Sequence, residues 1–250
     1  YRPDVIFHMA AALRGDSPDF LFQTNVAVTI GLLQSIKDSG IKLGRLVIGS
    51  TGGVYGIPTP GSLPFDEEWH CRPADLYSAS KLSAEHISRV MAAESDIPTV
   101  WARMFNLVGP GQDERHVCGK FASCMAAIIE KRQPPKIEMG QLETTRDFID
   151  VRDIASALKL LSKNDGPTGI FNIASGKETS IQSILTMILK ISGLAEVVET
   201  KITSTHKAGV PRHYGKIDRL VKLGFKPQYS LEQSLRDLLD YYLGAVAKAA

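Results

Sequence analysis

The residues best suited to chemistry are Tyr77 and Lys81, in the run Tyr77-Ser78-Ala79-Ser80-Lys81. Positions four apart share one face of a helix, so the phenol and the ammonium are expected to enter one cleft together. A free phenol is a poor base at neutral pH, because its ordinary pKa is about 10. A nearby ammonium favours the phenolate, and the sequence therefore predicts that Lys81 lowers the Tyr77 pKa and makes it usable as an acid or base. Thr51 closes the run Leu46-Val47-Ile48-Gly49-Ser50-Thr51, where its hydroxyl is expected to hold a substrate oxygen beside Tyr77. Taken alone, Tyr-x-x-x-Lys is also an ordinary half-buried helix face. The elements around it have to decide.

Those elements alternate. Asp4-Val5-Ile6-Phe7-His8 is a short apolar run of the kind that forms a buried parallel strand, and it leads into the small residues Met9-Ala10-Ala11. Residues 19–39 have a helical apolar stripe (Val28, Leu32, Leu33, Ile36) that stops at Gly40. A strand over 45–49, a helix over 76–94 and a strand over 98–103 follow. Strand, helix, strand in this order predicts a doubly wound, Rossmann-like parallel α/β sheet. In such sheets ligands bind at the carboxyl ends of the strands, which places His8 to Ala11, Ser50-Thr51 and Phe105-Asn106 on one rim. Glycines 49, 52, 53 and 56 imitate a dinucleotide fingerprint, but prolines 58, 60 and 64 follow where a helix would have to start. The segment is read as a loop over the strand end, solvated by Asp66-Glu67-Glu68. Helices are expected near 120–131, 152–163, 180–192 and 231–243, with a strand over 170–173. Residues 1–112 are assigned to the cofactor domain, with 145–175 returning to it, and 113–250 mainly to a smaller α/β substrate-binding lobe.

Composition narrows the classes. Of 250 residues, 44% are hydrophobic and 22% charged, and the net charge is +2 with both signs dispersed, which does not suggest a nucleic-acid or membrane partner. No apolar stretch reaches the length of a membrane span, and no secretory signal is recognised. Three cysteines without a C-x-x-C pair fit a reduced, cytoplasmic setting, and the six scattered histidines suggest no metal site.

In order, the runs HMAA, the helix carrying Asn25, GSTGGVYG, YSASK, RMFNLVGPGQ and RDFIDVRD resemble the extended short-chain dehydrogenase/reductases that modify nucleotide sugars. The resemblance covers essentially the whole chain, and the segments ARMFNLVGPGQ and GQLETTRDFIDVRD look most like the GDP-4-keto-6-deoxy-mannose reductases. It implies a catalytic set of Thr51, Tyr77 and Lys81. Tyr77 would exchange a proton with the sugar C4 oxygen, Thr51 would share that hydrogen bond, and Lys81 would bind the nicotinamide ribose. It implies NAD or NADP contacts at Ala10, Ala11, Asn25, Ser50 and Phe105 besides Tyr77 and Lys81, and nucleotide-sugar contacts at Thr51, Asn106, Arg146, Cys118 and Lys120. Arg146 suits a diphosphate because its planar, permanently charged fork binds two oxygens at once; the alternative is a salt bridge to Asp147 or Asp150. Asp150 and Asp153 read as capping or structural rather than catalytic. The long helices pack between subunits in relatives, so a homodimer is expected.

The resemblance also implies a Gly-rich cofactor fingerprint ahead of Tyr1, in about two βα units, on the order of 60 residues at ~30 per unit. The 4,6-dehydratases of this group place an acidic residue directly after the threonine, where this chain has Gly52 and Gly53. Dehydration is therefore disfavoured. Relatives carry an arginine and an acidic residue near 206–211, where this chain reads His206-Lys207-Ala208-Gly209-Val210-Pro211, which leaves a second phosphate contact open. The implied activity is reduction of a nucleotide-linked 4-keto-6-deoxyhexose. The alternatives are 4-epimerisation, which uses the same three residues, and a non-catalytic dinucleotide-sensing or scaffold protein.

Overall fold

The computed structural model describes residues 2–202 and 209–249. The chain begins with β1 (Val5–His8), α1 (Pro18–Phe22), one π-helical turn (Gln23–Ala27) and α2 (Val28–Ser39). It continues through β2 (Arg45–Thr51), a 3-10 turn (Gly52–Tyr55), α3 (Leu76–Glu94), β3 (Thr99–Met104), β4 (Asn106–Val108) and α4 (Val117–Ile129). Next come β5 (Lys136–Met139), β6 (Thr145–Arg146), β7 (Phe148–Asp150), α5 (Val151–Leu161), β8 (Gly169–Ile173), β9 (Thr179–Ser180) and α6 (Ile181–Ser192). The last elements are β10 (Glu199–Ile202), β11 (Arg212–His213), α7 (Asp218–Lys222) and α8 (Leu231–Ala249).

Four parallel strands in the order β1-β2-β3-β8 form the main sheet. Their registers bring His8 opposite Ile48, Thr51 opposite Met104 and Met104 opposite Ile173, so the carboxyl ends make one rim. The apolar residues of β2 and β3 point to two faces, as a sheet covered on both sides requires. On one face Leu46, Ile48 and Trp101 meet Leu33 and Ile36 of α2 and Ala92 of α3. On the other, Val47, Val100 and Ala102 meet Ile154, Ala157 and Leu161 of α5, with Leu220 and Phe225. Each large aliphatic side chain buried this way stabilises the fold by about 1.5–3 kcal/mol.

The sequence predicted one helix over 19–39; the structure interrupts it. Ser17 caps α1 by accepting the Phe20 N–H at 3.3 Å, Pro18 holds the first helical position, and Gly40 closes α2 in the left-handed conformation at φ 61°. The π-helical turn lies between them and buries Asn25 and Val26. Helix α3 was read with its observed ends. Asp75 caps it by accepting the Ser78 N–H at 2.7 Å. Its buried stripe is Ser78, Lys81, Glu85, Ser88 and Ala92, small or polar residues at helical spacing that need partners from the sheet.

A second core lies apart from the sheet. There Phe121, Ala122 and Met125 of α4 meet Ile184 and Ile188 of α6 and Leu235 and Leu238 of α8. The short strands β4, β6 and β11 join this lobe to the rim, through β4 on β7 and β11 on β6. No helix among the described residues is long and apolar enough to cross a membrane.

Candidate active site

Beneath the rim, a buried polar network holds β2, α3 and β3 together. Ser50 donates its hydroxyl to Glu85 at 3.0 Å. Arg103 binds the same carboxylate through Nη2 at 2.5 Å and Nε at 3.1 Å, with the two side chains 3% and 1% exposed. Arg103 also donates to the Tyr55 hydroxyl at 3.1 Å, and Tyr55 donates onward to Asn172 Oδ1 at 2.7 Å. Glu67 completes the network by accepting the Asn172 N–H at 3.0 Å, and Arg219 lies 3.5 Å from its other oxygen. Glu67 was expected to solvate the loop with its neighbours; instead it is 6% exposed, and burial pushes its carboxyl up. A lone carboxylate there is tolerated because a backbone amide and a guanidinium meet it.

Above this network stand the three residues read as catalytic. Thr51 ends β2, and its Oγ1 accepts the Gly53 N–H at 3.1 Å, which turns the chain away from the sheet. The Thr51 hydroxyl also meets the Tyr77 phenol. Lys81 is 6% exposed, and its ammonium has no hydrogen-bond partner among the described residues. Burial lowers its pKa to about 8, against a smaller opposing pull from Glu85. The expectation for Tyr77 is corrected: its pKa is raised, not lowered. Burial of the phenol outweighs the favourable charges, and the strongest of those comes from Arg14 rather than Lys81. Lys81 acts instead on His8, whose pKa falls through burial and then through the Lys81 charge.

Several residues expected to touch a cofactor have other partners. Asn25 accepts the Ala12 N–H at 2.9 Å and donates to the Ala12 carbonyl at 3.3 Å and to Ser80 Oγ at 2.9 Å. Its side chain thus clamps the loop after β1 onto α3, and that loop leaves Ala10 and Ala11 partly open to solvent. Ser50 likewise commits its hydroxyl to Glu85. Phe105 is 4% exposed and packs between Gly52 and Gly215, where an added Cβ would come within 2.9 and 2.7 Å of its ring. Tyr55 and His213 flank that ring, with centroids 6.3 and 5.1 Å away. An added Cβ on Gly53 would lie 2.5 Å from Ser78 Oγ. Neither glycine after Thr51 has room for a longer side chain.

Beside the rim opens a cavity of about 380 Å³, lined by Asn106, Glu114, Arg115, Lys120, Phe121 and Arg146 among others. Asn106 is fixed by donating its amide to the Asp147 carbonyl at 2.9 Å. The salt bridge considered for Arg146 does not form. Asp147 accepts instead from Ser175, Gly176 and Gly215, and Asp150 pairs with Arg152 at 2.8 Å and with Ser234 at 2.6 Å. Among the described residues the guanidinium of Arg146 donates only to the neighbouring Thr145 carbonyl, and burial lowers its pKa. Asp150 and Asp153 are structural, as read: Asp150 caps α5, and Asp153 accepts the N–H groups of Gln228 and Tyr229. Cys118 corrects the reading of that segment. It is 1% exposed in the second core, its thiol pushed up to about 12 by burial, while Lys120, two residues on, faces the cavity. Residues His206 to Ala208 lie outside the described residues.

One residue that sequence reasoning missed is His213. It is 7% exposed, and its neutral ring donates from Nε2 to the Gly52 carbonyl at 3.0 Å. Burial, then the charge of Arg146, lowers its pKa to about 4.

Residues 1–174 match the "NAD dependent epimerase/dehydratase family". The chain belongs to that family. It is 31% identical over 246 residues to the GDP-6-deoxy-D-mannose reductase of Pseudomonas aeruginosa, spanning 95% of this chain and 80% of that protein. The structure of RMD from Pseudomonas aeruginosa complexed with NADPH superimposes with a TM-score of 0.89 at 30% identity, covering 97% of this chain and 82% of the other. The UDP-glucose 4-epimerase of Thermus thermophilus, in complex with NAD, follows at a TM-score of 0.84 and 26% identity, covering 97% and 78%. The main sheet is parallel, Thr51 ends β2 at its carboxyl rim, and Tyr77 and Lys81 lie on the first turns of α3.

Proposed function

We propose that the protein is an NAD(P)-dependent oxidoreductase acting at C4 of a nucleotide-linked hexose, best described as a reductase of a 4-keto-6-deoxy sugar. The observation that carries this is the meeting of Tyr77 and Thr51 at the end of β2, followed by two glycines that bring no acidic or basic side chain of their own. The donor set fits a dinucleotide: Lys81 offers an ammonium with no acceptor among the described residues, and the loop through Ala10 and Ala11 presents small residues at the strand ends. When bound, the nicotinamide supplies the hydride. Tyr77 then donates its proton to the oxygen at C4 as charge develops there, and Thr51 shares that hydrogen bond. Lys81 would bind the ribose hydroxyls. Arg146 would hold the diphosphate and Asn106 the sugar or its phosphate, with Lys120 at the cavity wall. In this reading residues 1–112 and 145–175 serve the cofactor, and 113–250 mainly the substrate. The cytoplasm supplies both molecules.

A 4-epimerase is the second reading, supported by the likeness to a UDP-glucose 4-epimerase and by the same three residues. The two separate on one assay: a reductase consumes NADPH in step with a 4-keto sugar nucleotide, whereas an epimerase returns its cofactor unchanged. Replacing Tyr77 with Phe lowers either activity by about 10²–10⁴-fold with folding intact. Unchanged biological activity in Tyr77→Phe sinks both and favours a sensing role. The helices α1 to α3 expose Phe20, Phe22, Val28, Leu76 and Val90, which supports burial against a second copy. Light scattering should give a dimer mass; a monomer refutes that part.

A further inference from the structure

Arg14 has no assigned role, yet it touches the helix turn that carries the catalytic phenol. It lies in the loop after β1. Its Nε donates to Asp75 Oδ2 at 3.0 Å and its Nη2 to Ser78 Oγ at 3.2 Å. Both anchors belong to the start of α3, on either side of Tyr77. The guanidinium carbon sits 5.1 Å from the centroid of the Tyr77 ring, within the range of a cation–π contact. An added Cβ on Gly53 would fall 2.9 Å from Arg14 Nη2, so the glycine leaves the space that the guanidinium uses.

We propose that Arg14 is a positioning residue for Tyr77: Asp75 and Ser78 hold its guanidinium over the phenol, where it fixes the ring and stabilises the phenolate. The charges around Tyr77 agree with this assignment. Burial raises the phenol, Arg14 gives the largest opposing pull, Thr51 adds a smaller one, and Asp75 acts the other way. Lys81, on the same helix, has Glu85 and His8 as its charge partners. From the far side of the cleft, Arg146 and His213 are both lowered further by the Arg14 charge. Arg14 therefore divides the work with Lys81: one cation serves the proton-transfer group, and the other remains available for a ribose. The kinetic part of this inference rests on the proposed reaction; the titration part does not.

The test is the ultraviolet titration of Tyr77 in rapid pH jumps, taken as the full chain minus its Tyr77→Phe variant. The same difference is then measured in Arg14→Met. The midpoint should rise by about half a unit to one unit, the size of a solvent-screened charge at this distance. Arg14→Lys should recover part of the shift. If Arg14→Met does not fold, Arg14→Gln keeps a donor for Asp75 and carries the same expectation. In turnover, kcat on the acid limb of the oxidative direction should fall about 3–10-fold with KM within about twofold, and should recover at higher pH. An unmoved Tyr77 midpoint in a folded Arg14 variant overturns the proposal, as does a loss confined to KM, which would make Arg14 a substrate ligand. The titration needs no substrate, so a wrong reaction assignment leaves the expected shift in place.

Discussion

The two walls of the cleft use the same kinds of charged group in opposite ways. On the sheet side, Glu85, Arg103, Tyr55, Asn172 and Glu67 are buried and satisfy one another. On the lobe side, Arg146 has no carboxylate partner among the described residues, and Lys120 is exposed on the cavity wall. A buried, fully paired network fixes distances but has nothing left to offer a ligand. An unpaired guanidinium costs stability but keeps its donors for an anion. The sheet wall therefore sets geometry, and in the proposed reading the lobe wall is left to supply affinity.

The sharpest way to break this contrast is Glu85→Ala. It leaves Arg103 buried without its carboxylate and should cost about 3–5 kcal/mol in urea unfolding. Glu85→Gln, which retains hydrogen-bonding atoms, should cost less. A mild effect from Glu85→Ala would mean that the network does not hold the rim.

His213 joins the two walls, and acid should expose it. Its folded pKa of about 4 lies below the ordinary histidine value of about 6.5, so between these limits the unfolded chain binds the extra proton. Stability is complete above about pH 6.5 and falls as the pH drops towards 4, by up to about 3 kcal/mol. His213→Gln, which keeps a donor for the Gly52 carbonyl, should flatten that part of the curve. An unchanged slope would place the acid sensitivity elsewhere.

On the lobe wall the pattern reverses. Arg146→Met should raise KM for the nucleotide sugar about 10–100-fold, equivalent to ~1.5–3 kcal/mol for a charged hydrogen bond, with no loss in unfolding free energy. A clear loss of stability would instead give Arg146 a structural role. Lys120→Ala should be the smallest, at most about 1 kcal/mol in substrate binding and weaker still in high salt.

What the sequence disclosed follows the same division. Strand β2 and helix α3 were legible because an apolar run and helical spacing are local signals, as was the glycine stop of α2 at Gly40. Tyr77, Lys81 and Thr51 were legible for the same reason, helped by motif order. The partners of the buried network were not. Glu67 and Asn172 meet across 105 positions, and a carboxylate in a proline-rich loop reads as solvated unless its distant donor is known. One clue was present: Glu85 follows Lys81 by four residues, and Ser78 and Ser88 continue that stripe, so a polar face on a core helix was already asking for partners. Arg14 and His213 carried no such clue, since each stands in a loop or a two-residue strand without periodicity. Cys118 was misplaced because the resemblance carried it over together with Lys120, and a helix expected only from about 120 did not show that the two face opposite environments.

The π-helical turn at Gln23–Ala27 acts as a phase shifter. An α-helix advances about 100° per residue, so one added residue rotates everything beyond it by that angle relative to what precedes it. Asn25 thereby reaches Ala12 and Ser80, while Leu33 and Ile36 still face the sheet. Deleting a single residue such as Thr24 would restore an uninterrupted helix and force a choice between these two alignments. The clamp on the Ala10–Ala12 loop and the apolar seam of α2 would fall out of step, although no residue of either had been changed.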